Sequence, residues 1–167
     1  MMEPTLSRYE TCPTCGSTEI IFKRGHHHFL ESGLENIHLS NADIWRCNAC
    51  GEEIVSIPRS MELMKSIAES ILLKPISLSG AEIRFFRKNL GMKIKEFSQL
   101  LGVDRVTVSR WENGHEKPSK SADRLIRLTY AVEAKVPEAV MEQLRRSLRK
   151  DIVDSEADCF VSLPLVS

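Results

Sequence analysis

Two turns of identical form, Cys12-Pro13-Thr14-Cys15-Gly16 and Cys47-Asn48-Ala49-Cys50-Gly51, stand thirty-one residues apart in the first third of this 167-residue chain. A Cys-x-x-Cys turn sets two sulfurs on one side of a tight loop, where both reach one ion at about 2.3 Å, and a second such turn completes a tetrahedron. The glycine after each pair suits a left-handed backbone that turns nearby N–H groups towards the sulfurs. Cys12, Cys15, Cys47 and Cys50 are therefore expected to hold one structural zinc ion per chain, iron being the other metal such a sphere accepts. Four thiolates leave no open position for water or substrate, which argues against catalytic zinc. A redox dithiol needs only one pair, placed at a helix N-terminus, and that pattern is absent. His26, His27, His28 and His38 lie between the pairs. Consecutive residues of an extended segment point to opposite faces, so three adjacent histidines cannot address one metal, and a solvated or partner-facing role is expected.

A second chemistry lies further on, in Asp104-Arg105-Val106-Thr107-Val108-Ser109-Arg110-Trp111-Glu112-Asn113-Gly114. If this stretch is helical, Val108 and Trp111 turn inward and Arg105, Val106, Ser109 and Arg110 turn outward. Arginine can donate two hydrogen bonds to guanine O6 and N7, and valine can meet a thymine methyl. The alternative role for Arg110 is an ion pair with Glu112 or another nearby acid.

These residues need scaffolds. For the sulfurs, Glu19-Ile20-Ile21-Phe22-Lys23, Asp43-Ile44-Trp45-Arg46-Cys47 and Glu53-Ile54-Val55-Ser56-Ile57 read as strands carrying the two turns. For the arginines, Ser79-Gly80-Ala81-Glu82 has capping-box spacing ahead of Ile83, Phe86 and Leu90, predicting a helix from about 80 to 90 that Gly91 ends. A second helix carries Phe97, Leu100 and Leu101 inward and stops at Gly102; Asp104 then caps the third. Between the modules, Met64, Ile67, Ala68, Ile71 and Leu72 recur at helical spacing and Lys74-Pro75 ends the run. Beyond Pro118 one helix carries Leu125, Leu128 and Val132, and another, from Pro137, carries Val140, Met141, Leu144 and Leu148; such a pair can close the core or pack across a two-fold axis. The fold class expected is α+β with two domains: a small zinc-ribbon-like β domain, residues 1–58, a connecting helix over 59–76, an all-α lambda-repressor-like helix-turn-helix domain over 77–150, and a loose tail over 151–167 holding the fifth cysteine, Cys159.

Charge agrees with a nucleic-acid partner once it is counted by segment. The whole chain is neutral, but residues 1–78 carry seven Lys/Arg against ten Asp/Glu, residues 79–150 sixteen against nine, and residues 151–167 none against four. A basic module between acidic neighbours is the pattern of a DNA-binding domain. With no run of about eighteen apolar residues and no signal-peptide pattern, a cytoplasmic protein without membrane contact is expected, in a compartment that keeps thiols reduced. No nucleophile–base pair, phosphate-cradling glycine loop or open metal site points to an enzyme.

Phe97-Ser98-Gln99-Leu100-Leu101-Gly102-Val103 followed by Thr107-Val108-Ser109-Arg110-Trp111-Glu112-Asn113-Gly114 resembles the Xre/Cro family of helix-turn-helix repressors. The resemblance implies base-facing positions for Arg105, Val106 and Arg110, base or phosphate contacts for Thr107 and Ser109, and phosphate contacts for Asn113, Lys117 and Lys120. One position departs: Ile94 stands where many family members carry a glutamine that contacts a phosphate. The order of the two modules, cysteine turns and then helix-turn-helix, resembles the MqsA/YgiT family of antitoxins. That resemblance implies a homodimer that represses its own operon at a palindromic operator on double-stranded DNA and blocks a small basic ribonuclease toxin. The alternative keeps the DNA binding and makes the zinc module a metal or redox sensor with no toxin partner.

Overall fold

The computed structural model describes residues 9–57, 60–150 and the backbone of 159–162. Three antiparallel strands come first: β1 (Ile20–His28), β2 (Ile37–Cys47) and β3 (Glu53–Ser56), with β2 in the middle. Six helices follow: α1 (Ser60–Leu73), α2 (Gly80–Asn89), α3 (Ile94–Leu101), α4 (Arg105–Glu112), α5 (Lys120–Glu133) and α6 (Glu138–Ser147). The strands run longer than the β-type runs in the sequence suggest, because β1 takes in all three adjacent histidines and β2 reaches back to Ile37. A bulge between Gly25 and His27 and the left-handed Asn41 (φ 60°) shift the pairing midway along this hairpin.

A last short strand, β4 (Cys159–Ser162), lies within the segment expected as a loose tail. Its backbone pairs in parallel with Ile37–Ser40 of β2, beyond the end of β3, and so lengthens the sheet along one edge. The rest of the expected tail lies outside the described residues. Among the described residues, no helix is long and apolar enough to cross a membrane.

One buried cluster runs through both modules. Leu34 of the connection and Ile37, Leu39 and Ile44 of the sheet share one buried cluster with Leu63, Ile67, Ile71 and Leu72 of α1, and the same cluster continues through Ile83, Phe86, Phe97, Val108, Trp111, Ile126 and Tyr130 to Leu144 of α6. The expected connecting helix is thus the middle layer of a shared core. Ser79 and Glu82 form the capping box at the start of α2, Ser79 Oγ accepting from the Glu82 N–H at 3.3 Å and Glu82 accepting from the Ser79 N–H at 2.7 Å. Asp104 sits at the N-cap of α4 with extended backbone, but its side chain makes no capping bond. At Gly80 the chain needs the missing side chain: a Cβ there would lie 2.3 Å from the Trp111 carbonyl oxygen, so glycine lets α2 start against the end of α4.

Helix α5 leaves its apolar stripe outward and turns two charged side chains inward. Leu125, Leu128 and Val132 are 43%, 37% and 61% exposed, and the buried face is Asp123, Ile126, Arg127, Tyr130 and Ala131. The reason is an ion pair inside the protein. Arg127, 1% exposed, donates from Nε to Asp123 Oδ1 at 2.6 Å, from Nη1 to the carbonyls of Ile71, Leu72 and Lys74, and from Nη2 to Ile76. Asp123 Oδ2 in turn accepts from the Leu78 N–H at 2.6 Å. A guanidinium therefore caps the last turn of α1, and its carboxylate partner holds the linker just before α2 begins.

Removing one member of such a pair strands the other and all the carbonyls it served. Arg127→Met, which keeps the aliphatic stem, is expected to destabilise the protein by about 3–5 kcal/mol in urea denaturation. Adding Asp123→Asn, which removes the stranded charge, should recover part of that loss; a single substitution within about 0.5 kcal/mol of the parent would contradict this role for Arg127.

Candidate metal centre and nucleic-acid interface

The two cysteine turns are built alike. In each, the glycine N–H donates to the carbonyl of the first cysteine, Gly16 to Cys12 at 2.8 Å and Gly51 to Cys47 at 2.9 Å, and each glycine is left-handed at φ 73° and 79°. In each, the first cysteine N–H donates to the residue five places on, Cys12 to Ser17 and Cys47 to Glu52. A bond from the Asn48 N–H to the Glu19 carbonyl at 2.9 Å ties one turn to the approach of the other. The four sulfurs converge: Cys12 and Cys50 Sγ lie 3.7 Å apart, Cys15 and Cys47 Sγ 3.6 Å apart, and all four fall within 4.8 Å of one another. A tetrahedron with ligands at about 2.3 Å has edges of about 3.8 Å, so the donor set fits a single ion. Each turn contributes one buried cysteine, Cys12 or Cys47, and one exposed, Cys15 or Cys50.

Crowding four thiols together separates their acidities. The backbone N–H of Cys15 is the main influence lowering Cys12, to about 7. At Cys50 the Glu52 N–H pulls the thiol down, but the sulfurs of Cys15, Cys12 and Cys47 together with desolvation outweigh it and push the thiol up to about 12.

The histidines stay outside this centre. His28 stacks on His38 across β1 and β2 with ring centroids 4.7 Å apart and makes a short contact with the Glu35 carbonyl, while His27 Nε2 lies 3.9 Å from a Glu31 carboxylate oxygen. Among the described residues, the cysteines are the one group of three or more side chains placed to share a metal.

In the basic half, α3 ends at the left-handed Gly102 (φ 68°), whose N–H donates to Gln99 while Val103 donates to Ser98. The chain then enters α4 with Val108 and Trp111 buried and Arg105, Val106 and Arg110 exposed. Arg105, Val106, Ser109, Arg110 and Asn113 line one open concavity of about 500 Å³. Lys117 and Lys120 are exposed but stand outside it, and Thr107 is half-buried and also outside it. Three further residues complete its walls: Ile94 and Lys95 from the start of α3, and His115 after the end of α4. In the sequence, Lys95 looks like part of a solvated basic face, and nothing in the spacing shows that the start of α3 closes over α4.

The orientation of α4 depends on a second internal ion pair that the sequence spacing does not reveal. Glu112 is buried and accepts from Arg87 twice, Nε at 2.6 Å and Nη2 at 2.9 Å, and Arg87 Nη1 also holds the Met92 carbonyl at 2.9 Å. The hydrogen bond to Glu112 raises the Arg87 pKa further above its ordinary range. Arg84 Nη2 donates to the Glu112 carbonyl at 3.2 Å and to Asn113 Oδ1 at 2.7 Å. Arg110 therefore does not pair with Glu112; its neighbour is Glu116, at 3.7 Å on the surface. The one signal available was Glu112 itself, an acid beside Trp111 on the inward side of an otherwise amphipathic helix.

The family model described as the antitoxin component of a bacterial toxin–antitoxin system, MqsA, matches residues 10–154, a span that takes in all four cysteines and all six helices. The chain is also similar to YiaG, an uncharacterized HTH-type transcriptional regulator of Escherichia coli strain K12. The two are 36% identical over 69 residues, 41% of this chain and 72% of the relative, and the YiaG proteins of E. coli O6:H1 and O157:H7 match equally. No solved structure matches.

Because Cys50 remains protonated at neutral pH without metal, coordination must displace protons, and affinity must fall as pH falls. Competition with a chelator should show zinc bound more tightly at pH 8 than at pH 6, with protons released into weak buffer on binding. An affinity independent of pH would mean that the thiols are not the ligands.

Proposed function

The chain belongs to the MqsA antitoxin family, and from that premise we propose that it is a homodimeric, zinc-bearing transcriptional repressor that also neutralises a small ribonuclease toxin encoded beside it. The observation that carries this reading is the presence in one chain of both a convergent four-cysteine centre and a helix-turn-helix whose outer face bears Arg105, Val106 and Arg110. The four-thiolate set favours zinc in a structural role.

On DNA, α4 lies in the major groove. Arg105 and Arg110 read base edges, Ser109 and Thr107 reach a base or a phosphate, and Lys117 and Lys120 hold phosphates along the flank. Asn113, bonded to Arg84 and Ser109, orders the loop that presents them. Lys95 and His115 extend the same basic wall. The exposed apolar stripe on α5, Leu125, Leu128 and Val132, supports a second copy of the chain as its cover, and a two-fold dimer matches a palindromic operator. In this reading the sheet module is the part that meets the toxin. The exposure of Cys15 and Cys50 favours a second reading, a redox-responsive regulator, since exposed cysteines are the ones open to oxidation.

Native purification from the protein's own operon tests the proposal, with metal content and partner mass measured together. One zinc per chain in an assembly holding two copies and a small basic partner supports the antitoxin. Zinc without any partner, with DNA binding abolished by mild oxidant, would instead favour the redox regulator. On operator DNA, Arg110→Ala is expected to cost about 1–3 kcal/mol and to relax specificity at one base position. Unchanged affinity and base preference would remove Arg110 from the reading face.

A further inference from the structure

In the major groove a thymine, or a cytosine methylated at C5, presents a methyl group that no hydrogen-bonding side chain recognises, and using it requires apolar surface at the groove-facing end of the protein. The concavity beside α4 has such a surface. Val106, the second residue of α4, is 58% exposed, whereas Val108, two residues on and on the far side of the helix, is fully buried. Ile94 opens α3, packs partly on the core, and lines the same concavity. A β-branched residue is not a strong helix former, and exposed beside Arg105 it gains little from burial, so helix stability does not account for valine at this position. The polar side chains around the two are unequal in what they can read. Lys95, Arg105 and Arg110 offer only donors, and Asn113 has its Oδ1 occupied by Arg84 and donates from Nδ2 to the Ser109 carbonyl at 2.8 Å. The amide that would otherwise read an adenine edge is engaged within the protein, which leaves the cations, the Ser109 hydroxyl, the His115 ring and the apolar surface of Ile94 and Val106.

We propose that Ile94 and Val106 form a socket for the C5 methyl of one pyrimidine in each operator half-site, making that methyl group a determinant of specificity. This rests on the DNA-binding reading above. The cations on either side fix the phosphates and any guanine edge, and the socket then separates a methylated pyrimidine from an unmethylated one.

Duplexes selected by the full-length, metal-replete protein from a random pool provide the operator. Each thymine is then replaced in turn by uracil, which removes the methyl and nothing else. One position per half-site should bind about fourfold more weakly with uracil, the value of one buried methyl group. Placing cytosine and then 5-methylcytosine there tells the two sources of the methyl apart, and the methylated base should bind the more tightly if the socket accepts either. Val106→Ala and Ile94→Ala, each checked for native helix content by circular dichroism, should bind the thymine and uracil duplexes equally. Insensitivity to uracil at every position, or an undiminished preference in Val106→Ala, would overturn the socket while leaving DNA binding intact. Failure to select any duplex would overturn the DNA-binding reading itself.

Discussion

Arg127 has five N–H donors, and the fold directs them at the place where its two modules join. The last carbonyls of α1 have no partners within their own helix, and here that end is buried against α5. A guanidinium is the one side chain that can serve Ile71, Leu72, Lys74 and Ile76 together while pairing with a carboxylate. Asp123, one helical turn earlier on α5, neutralises it and reaches across to the Leu78 N–H. The linker around Pro75 is thereby held by two side chains of α5, and the placement of the sheet relative to the helix-turn-helix follows from that clamp.

The same device recurs in the helices around α4. Lys74 holds Glu82 at 2.7 and 2.5 Å at the start of α2, and Arg87 holds Glu112 at the end of α4. A buried pair of this kind adds little net stability over apolar packing, but it is intolerant of misalignment, because a displaced partner leaves an unpaired charge out of water. Three such pairs in one small protein set the orientation of helices whose apolar contacts alone would allow sliding. The consequence for function is that the outer residues of α4 are aimed by Glu112, Arg84 and Arg87, none of which lines the concavity.

The cysteine centre works on a different principle. Its sheet is small, and the exposed Cys15 and Cys50 show how little covers it. The two turns bring their sulfurs together through backbone bonds local to each loop, with one cross-link from Asn48 to Glu19. An ion bound there would close a loop of more than thirty residues, which a core of this size does poorly by apolar burial alone. Behind the sheet, Ile44 and Leu39 lean on α1, so the metal end and the DNA-binding end share one core through that helix.

Local chemistry was legible in the residues themselves. The paired Cys-x-x-Cys-Gly turns, the capping box at Ser79 and Glu82, the stops at Gly91 and Gly102 and the inward Val108 and Trp111 all depend on contacts within a few residues, and the helices form where that spacing puts them. The grouping of Arg105, Val106, Ser109 and Arg110 on one face follows from the helical period alone. What required the tertiary structure was every feature in which a charge goes inside. The apolar stripe of α5, Leu125, Leu128 and Val132, could by spacing alone close the core or meet a second chain, and Asp123 and Arg127 look like surface residues until each is seen beside the other and beside the end of α1. Glu112 and Arg87 are twenty-five positions apart, and Ile94 and Val106 come to line one concavity only once Gly102 has turned α3 against α4. The C-terminal strand on β2 belongs with them, since four residues pair only where a distant edge is open. Sequence spacing encodes what one turn of helix or one tight loop can bring together; the partners of buried charges and free strand edges are chosen by the packed chain, where the cost of leaving them alone is first felt.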